Sequence, residues 1–106
     1  MSLGINMILI YDKKGFDVLY ETEATKLRGG DFSGINLKDA NMVQFDLRGA
    51  NFRGANLEGA DLRLADLTGA DLRDAKLTGT DLQGAILIDT KMNRKNLSIP
   101  IVEIKE

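Results

Sequence analysis

The chain has 106 residues, a net charge of −2, 43% hydrophobic residues, and neither cysteine nor histidine. This length fits one domain rather than two, and the near-neutral charge predicts no strong field towards nucleic acid or a membrane surface. Without Cys and His, the sequence excludes disulfides, thiolate metal sites, and Ser/His or Cys/His nucleophilic catalysis.

The first eleven residues contain an apolar run but no targeting pattern. A basic n-region and a small-residue cleavage site are both missing. No apolar run approaches the ~18 residues needed to span a bilayer. We therefore expect a cytoplasmic protein without membrane association. Two interpretations of the start stay open, because Met7 could be the original initiator and Met1–Asn6 an added leader.

Residues 7–21 predict a β-hairpin. The segment MILIY at 7–11 is apolar, and FDVLYE at 16–21 alternates in polarity. The turn Asp12–Gly15 suits type I geometry, with Gly15 in the left-handed conformation that closes a three-residue loop. A short helix is the alternative, but Gly15 and the β-branched content argue against it. A two-stranded hairpin is marginal alone, so it must pack on the rest of the chain.

A five-residue repeat runs from Gly30 to Arg94. All 13 units carry an apolar residue at the centre, position i, which chance would give with a probability on the order of 10⁻⁵. Position i−2 is Ala in 8 units, position i−1 is Asp or Asn in 10, and position i+2 is Gly in 7. The centres are Phe32, Leu37, Met42, Leu47, Phe52, Leu57, Leu62, Leu67, Leu72, Leu77, Leu82, Leu87 and Met92.

A period of five fits neither a helix nor a flat strand. On a helix the centres would spread around the axis, and on a strand they would alternate between faces. All centres can point inward only if the backbone turns once per pentapeptide. Ala at i−2 is then the second inward residue, Asp or Asn at i−1 can bond local backbone groups at the corners, and Gly at i+2 tolerates tight corners.

The run ANFRG-ANLEG-ADLRL-ADLTG-ADLRD at 50–74 resembles the A(D/N)LxG repeats of the pentapeptide-repeat proteins. This resemblance implies an all-β fold, a right-handed quadrilateral β-helix with four pentapeptides, or 20 residues, per coil. The repeats would then form about three coils. A 20-residue period places Phe32 and Phe52 in one column.

We divide the chain into an N-terminal leader and capping β-hairpin (1–24), the β-helix (25–97) and a C-terminal strand or tail (98–106). Terminal units of a solenoid should be atypical because they meet its open ends. Ile35 and Phe45 occupy i−2 where Ala is usual, so we expect them to pack towards the hairpin, which would form a lid.

The C-terminal end of the repeat is atypical too. Thr80 and Thr90 replace Ala, and Ile86 and Ile88 stand among polar positions. We expect the isoleucines and the C-terminal strand 98–106 to cover or extend this end. That strand could instead pair across a two-fold axis and form a homodimer through an exposed coil end.

The sequence predicts no catalytic, cofactor-binding or metal-binding residue, and therefore no enzyme. Stacked carboxylates, such as Asp46 over Asp66 and Asp61 over Asp81, would lie on a convex surface, where we expect them to be solvated or bonded to backbone. Stacked arginines are interleaved with these carboxylates, so a mixed-charge surface is expected rather than a nucleic-acid site.

We therefore predict a non-enzymatic structural or interaction module with an unidentified protein partner. The alternative comes from the resemblance, since some pentapeptide-repeat proteins mimic DNA, bind type II topoisomerases and confer quinolone tolerance. Such mimicry needs an acidic surface. The segment 27–97 carries ten acidic and ten basic residues, so it lacks the net charge of a DNA mimic.

Overall fold

A computed structural model describes residues 6–93 of the chain. It begins with the antiparallel strands β1 (Met7–Tyr11) and β2 (Val18–Glu23), followed by a 3₁₀ helix at Ala24–Lys26. The predicted hairpin is confirmed. Its register shifts where Ile10 pairs with Tyr20 but Tyr11 pairs with Val18, so that Leu19 is the extra residue of a β-bulge.

The connection between the strands is longer than predicted. Gly15 adopts φ +81° and donates its N–H to the Asp12 carbonyl at 2.9 Å, as expected for the turn. However, the Asp12 carboxylate also accepts the N–H groups of Phe16 (3.0 Å) and Asp17 (3.2 Å). The prediction that a strand begins at Phe16 is therefore wrong, because these bonds hold Phe16 in the loop. Its side chain is 84% exposed.

The repeat winds into a coil whose successive layers are joined by parallel bridges. Every one of these bridges joins residues 20 positions apart, so four pentapeptides make one circuit. They are Asp31–Asn51, Asn36–Asn56, Asn41–Asp61, Asp46–Asp66, Asn51–Asp71, Asn56–Lys76, Asp61–Asp81, Asp66–Ile86 and Asp71–Lys91. The main-chain groups of one layer thus find their partners in the next layer.

Each corner of the coil is a tight turn. The carbonyl of a central residue accepts the N–H three residues later, as in Ala40 to Leu37 at 3.0 Å. Position i+2 has positive φ, which a type II turn requires and which glycine tolerates best. Among the described corners, five adopt the same conformation without glycine, at Asp39, Gln44, Leu64, Asp74 and Asp89.

The centres fill the coil as predicted. Those from Phe32 to Leu87 are at most 8% exposed. Phe32 and Phe52 stack in one column, with ring centroids 5.0 Å apart and planes 13° from parallel. The hydroxyl groups of the two threonines at i−2 donate hydrogen bonds to main-chain carbonyls of the coil. Thr80 Oγ1 donates to the Leu57 carbonyl at 2.6 Å, and Thr90 Oγ1 donates to the Leu67 carbonyl at 2.7 Å.

The hairpin docks on the first layer of the coil. Asp12 forms an antiparallel bridge with Ala40, and Asn41 donates its N–H to the Tyr11 carbonyl at 2.8 Å. Ile35 and Phe45 are half-buried and pack against the hydrophobic core. Three hairpin side chains do the same, namely Ile8, Leu19 and Tyr20.

Several sequence predictions are not tested by these contacts. The segment 98–106 and most of the leader lie outside the described residues. The boundaries at 24/25 and 97/98 stay predictions, as do the handedness of the coil and the number of its layers. Ile86 and Ile88 are half-buried in the last described layer.

Candidate interaction surface

Side chains at the corners of the coil form hydrogen bonds with the backbone of their own corner. Each Asp or Asn at i−1 accepts the backbone N–H two residues later, as predicted from the affinity of these side chains for local backbone. The acceptors are Asp31, Asn36, Asn41, Asp46, Asn51, Asn56, Asp61, Asp66, Asp71 and Asp81. These side chains therefore stabilise the corner conformation of the coil.

Where position i+1 is arginine and position i−1 is aspartate, the two side chains form a bidentate pair. The guanidinium donates through Nε and through a terminal nitrogen, the geometry that makes such pairs strong. The pairs are Arg48–Asp46 at 2.7 Å, Arg63–Asp61 at 2.8 Å and Arg73–Asp71 at 2.7 Å.

The stacked carboxylates have an arginine between them. Arg48 contacts Asp46 and also lies 3.7 Å from the carboxylate of Asp66 in the next layer. Its hydrogen bond holds the pKa of Asp46 at about 2. A carboxylate that stays ionised and paired in this way is poorly suited to general acid catalysis. Within residues 6–93, no group of three or more acidic side chains could hold a metal ion.

The hairpin carries an apolar surface that faces away from the coil. We call it the outer hairpin face. It comprises Met7 (50%), Leu9 (37%) and Tyr11 (39%) of β1 and Val18 (49%) of β2, together with Phe16 (84%), which is exposed in the adjoining loop. On the opposite side of β1, Ile10 is fully buried and Ile8 is half-buried.

This face is unusual for a two-stranded antiparallel sheet. Such sheets commonly cover one face and present polar residues on the other, whereas continuous apolar strands are typical of sheets covered on both faces. The sequence of β1, MILIY, is of the second kind. Its five apolar residues in a row are a signal for a second covered face, and sequence reasoning missed it.

A groove lies where the hairpin meets the coil. Its volume is about 380 Å³. Tyr20 and Thr22 of β2 line one side, and Thr25, Lys26 and Arg28 lie at the junction. The remaining lining residues are Gly29, Gly30, Asp31 and Phe32. This groove was not predicted from the sequence. Residues 25–29 form a further unit centred on Leu27, with Lys26 at i−1 where most units have Asp or Asn.

Comparison with known families tests the resemblance of the repeat to the pentapeptide-repeat proteins. The family model of the pentapeptide repeats matches residues 23–54, 31–69 and 65–98, with eight copies. The chain belongs to the pentapeptide-repeat family. No curated protein matches the sequence significantly.

Solved pentapeptide-repeat structures resemble the chain at low identity. QnrB1, a plasmid-mediated fluoroquinolone resistance protein, is 24% identical over 69% of this chain and 40% of its own, with a TM-score of 0.39. HetL, from the cyanobacterium Nostoc sp. and involved in heterocyst differentiation regulation, is 27% identical over 61% and 44%, with a TM-score of 0.38. The chain thus spans less than half the length of both.

Another pentapeptide-repeat protein from Nostoc matches over more of its length. It is 31% identical over 77% of this chain and 89% of its own, with a TM-score of 0.31. Identity and superposition at this level concern the repeat fold and do not assign a function. Among residues 6–93, no helix is long and apolar enough to cross a membrane.

Proposed function

We propose that this pentapeptide-repeat protein is a non-enzymatic interaction module that binds a protein partner through the outer hairpin face. The observation that carries the proposal is the exposure of β1 on one side. Met7, Leu9 and Tyr11 are exposed to water although the strand has the composition of one covered on both faces. Exposed apolar patches of this kind commonly mark binding surfaces.

The charge next to this face defines the chemistry of the partner. Glu23 pairs across the strands with Met7, and Glu21 pairs with Leu9, so an acidic row on β2 flanks the apolar row on β1. Both glutamates are exposed. A complementary segment would present apolar side chains flanked by lysine or arginine, because opposite charges at the rim of an interface favour the correct register.

The alternative is a DNA-mimicking inhibitor or protector of a type II topoisomerase. Its support is the family and the likeness to QnrB1, which at 24% identity concerns the fold alone. The corner pairs weigh against it, because Asp46, Asp61 and Asp71 each have a guanidinium bound to the carboxylate. A surface whose acidic groups are neutralised in place lacks the electrostatic pattern of a phosphate backbone.

The interaction proposal can be tested by site-specific photo-cross-linking in the native host. A photoreactive side chain at Phe16, which is 84% exposed, should capture one discrete protein. The same group at Lys38, an exposed position on the coil, is the matched control and should not. Capture from Lys38 alone, or from neither position, would contradict the proposal.

A supercoiling assay with purified gyrase separates the two functions. We expect supercoiling to be unchanged when the protein is added, because the coil has no acidic excess. Inhibition that DNA relieves by competition would favour the DNA mimic instead. The right-handed winding, the three-coil count and a homodimer through the coil end are further parts of the proposal, and they rest on the family and the sequence.

A further inference from the structure

We propose that the groove between the hairpin and the coil binds the oxyanion group, carboxylate or phosphate, of a small ligand through Lys26 and Arg28. The site is separate from the outer hairpin face. The proposal starts from the unit centred on Leu27, which has a cation at both i−1 (Lys26) and i+1 (Arg28).

Elsewhere in the coil, an arginine at i+1 has a carboxylate partner. Arg48, Arg63 and Arg73 bind the aspartate of their own pentapeptide. Arg53 has asparagine at i−1 and instead approaches Asp74 of the next layer, at 3.6 Å. The fold therefore places a carboxylate beside each of these four guanidinium groups.

The unit centred on Leu27 reverses this arrangement. Arg28 stands at i+1, but position i−1 is Lys26, which ends the 3₁₀ helix. Two cations thus stand at the sequence positions where the units of Arg48, Arg63 and Arg73 have an anion and a cation. Neither makes a salt bridge within the part of the chain that the structure describes. Arg28 does act on Asp46, whose pKa it helps to lower, but Arg48 already binds that carboxylate at 2.7 Å.

The unit nevertheless keeps the coil geometry from Gly29 onward. The N–H of Gly29 bonds to the Arg48 carbonyl at 2.8 Å, and φ of Gly29 is +69°, as at the other corners. The N–H of Gly30 closes the turn on the Leu27 carbonyl at 3.1 Å. The turn that follows Leu27 therefore has the geometry of the other corners, while Lys26 itself ends the 3₁₀ helix.

The groove has room for an external anion at this place. Its volume of about 380 Å³ falls within the range of small-molecule pockets, roughly 300–1,000 Å³. Thr22 and Thr25 add hydroxyl groups that can donate hydrogen bonds to an oxyanion. Guanidinium and ammonium groups both bind carboxylate and phosphate, the first as a planar fork and the second as a point charge.

One carboxylate opposes this charge. Asp31 also lines the groove, but its Oδ1 accepts the hydroxyl of Ser33 at 2.6 Å and the Ser33 N–H at 3.0 Å. These bonds lower its pKa and keep it ionised and occupied. The lining retains one net positive charge, so an anion is still favoured over a cation.

Titration of the ¹⁵N-labelled protein with inorganic phosphate, and separately with succinate, tests the site. We expect saturable shifts of the amide signals of Arg28, Gly29 and Gly30. A response to phosphate alone assigns a phosphate ligand, and a response to succinate alone assigns a carboxylate. Shifts that rise linearly without saturation in both titrations would overturn the proposal.

Variants distinguish binding in the groove from non-specific attraction of an anion to surface cations. Lys26→Gln with Arg28→Gln should weaken binding by about tenfold or more, since hydrogen bonds to charged groups are worth roughly that factor. Lys38→Gln removes an exposed lysine from the coil and should leave binding unchanged. Equal weakening by Lys38→Gln would overturn the proposal.

A third variant restores the pattern of the other units. Lys26→Asp supplies a carboxylate of the chain itself beside Arg28. We expect it to abolish the saturable shifts while the remaining amide spectrum keeps its native dispersion. Undiminished binding in this folded variant would show that the missing carboxylate is not the origin of the site.

Discussion

The ring of Tyr20 packs edge-on against Phe32, with centroids 5.6 Å apart and planes inclined by 68°. This contact joins the second strand of the hairpin to the first aromatic residue of the coil. Phe32 in turn stacks on Phe52 one layer below. The hairpin is therefore attached to the core by an aromatic column as well as by main-chain bonds at Asp12 and Asn41.

Removing this contact should loosen the hairpin. Tyr20→Ala is expected to lower the free energy of unfolding by about 1–3 kcal/mol, because it deletes a half-buried aromatic pair and leaves space behind. Urea denaturation measures the loss. Amide hydrogen exchange should become faster in β1 and β2 and stay slow in the coil, and equal acceleration in both regions would contradict hairpin-specific anchoring.

The charge pairs at the corners predict a pH dependence. The hydrogen bond from Arg73 holds the pKa of Asp71 at about 2, below its ordinary value of 3.8. A depressed pKa in the folded state stabilises the protein above pH 3.8, and this contribution is lost as the pH falls towards 2. Carboxyl ¹³C shifts followed by NMR measure the pKa directly.

A matched pair of variants checks the cause. Arg73→Gln should raise the pKa of Asp71 towards 3.8, because the bidentate donor is gone. Arg53→Gln removes an arginine that contacts Asp74 rather than Asp71, and should leave the pKa of Asp71 unchanged. If both variants shift the pKa of Asp71 by the same amount, the hydrogen bond from Arg73 is not the cause of its low value.

Two glycines should differ in their cost of replacement. Gly54 has φ +73° and open space where the Cβ of an alanine would lie, so Gly54→Ala should cost only the left-handed conformation, about 1 kcal/mol. At Gly30 a Cβ would collide with the Lys26 carbonyl oxygen and lie 2.8 Å from the Phe32 ring. Gly30→Ala should therefore cost about 3 kcal/mol or more. Equal melting temperatures for the two variants would contradict this difference.

The two interpretations of the C-terminal segment predict different assemblies. If residues 98–106 join two coil ends, the full chain should elute as a dimer in size-exclusion chromatography and the deletion variant as a monomer. If they cap their own coil, both proteins should elute as monomers. The second result would discard the end-to-end homodimer.

Much of the coil could be predicted because its signal recurs in every unit. A single rule, one turn of the backbone per five residues, places Leu37 and Leu57 inside and Asn36 and Asn56 at corners. Packing and main-chain bonding then agree at each layer. Glycine at i+2 predicts the positive φ of a corner. Leu64 also adopts φ +63°, because the layers on both sides impose this conformation.

Features that occur once were harder to predict. The loop at Phe16 depends on the Asp12 carboxylate, which binds two N–H groups that a strand would have used otherwise. The buried hydroxyl of Thr80 depends on a carbonyl 23 residues earlier. The groove depends on how the hairpin meets Lys26 and Arg28. Each of these features occurs at one place in the described chain, so the five-residue pattern does not encode it.

The affinity of the cross-linked partner for surface variants tests the proposed function most directly. Leu9→Gln with Val18→Thr changes two exposed side chains of the outer hairpin face, whereas Leu64→Gln changes an equally apolar, 55% exposed side chain on the coil. We predict that the hairpin variant weakens binding by about tenfold or more and that Leu64→Gln leaves it unchanged. Unaltered affinity in the folded hairpin variant would contradict the account.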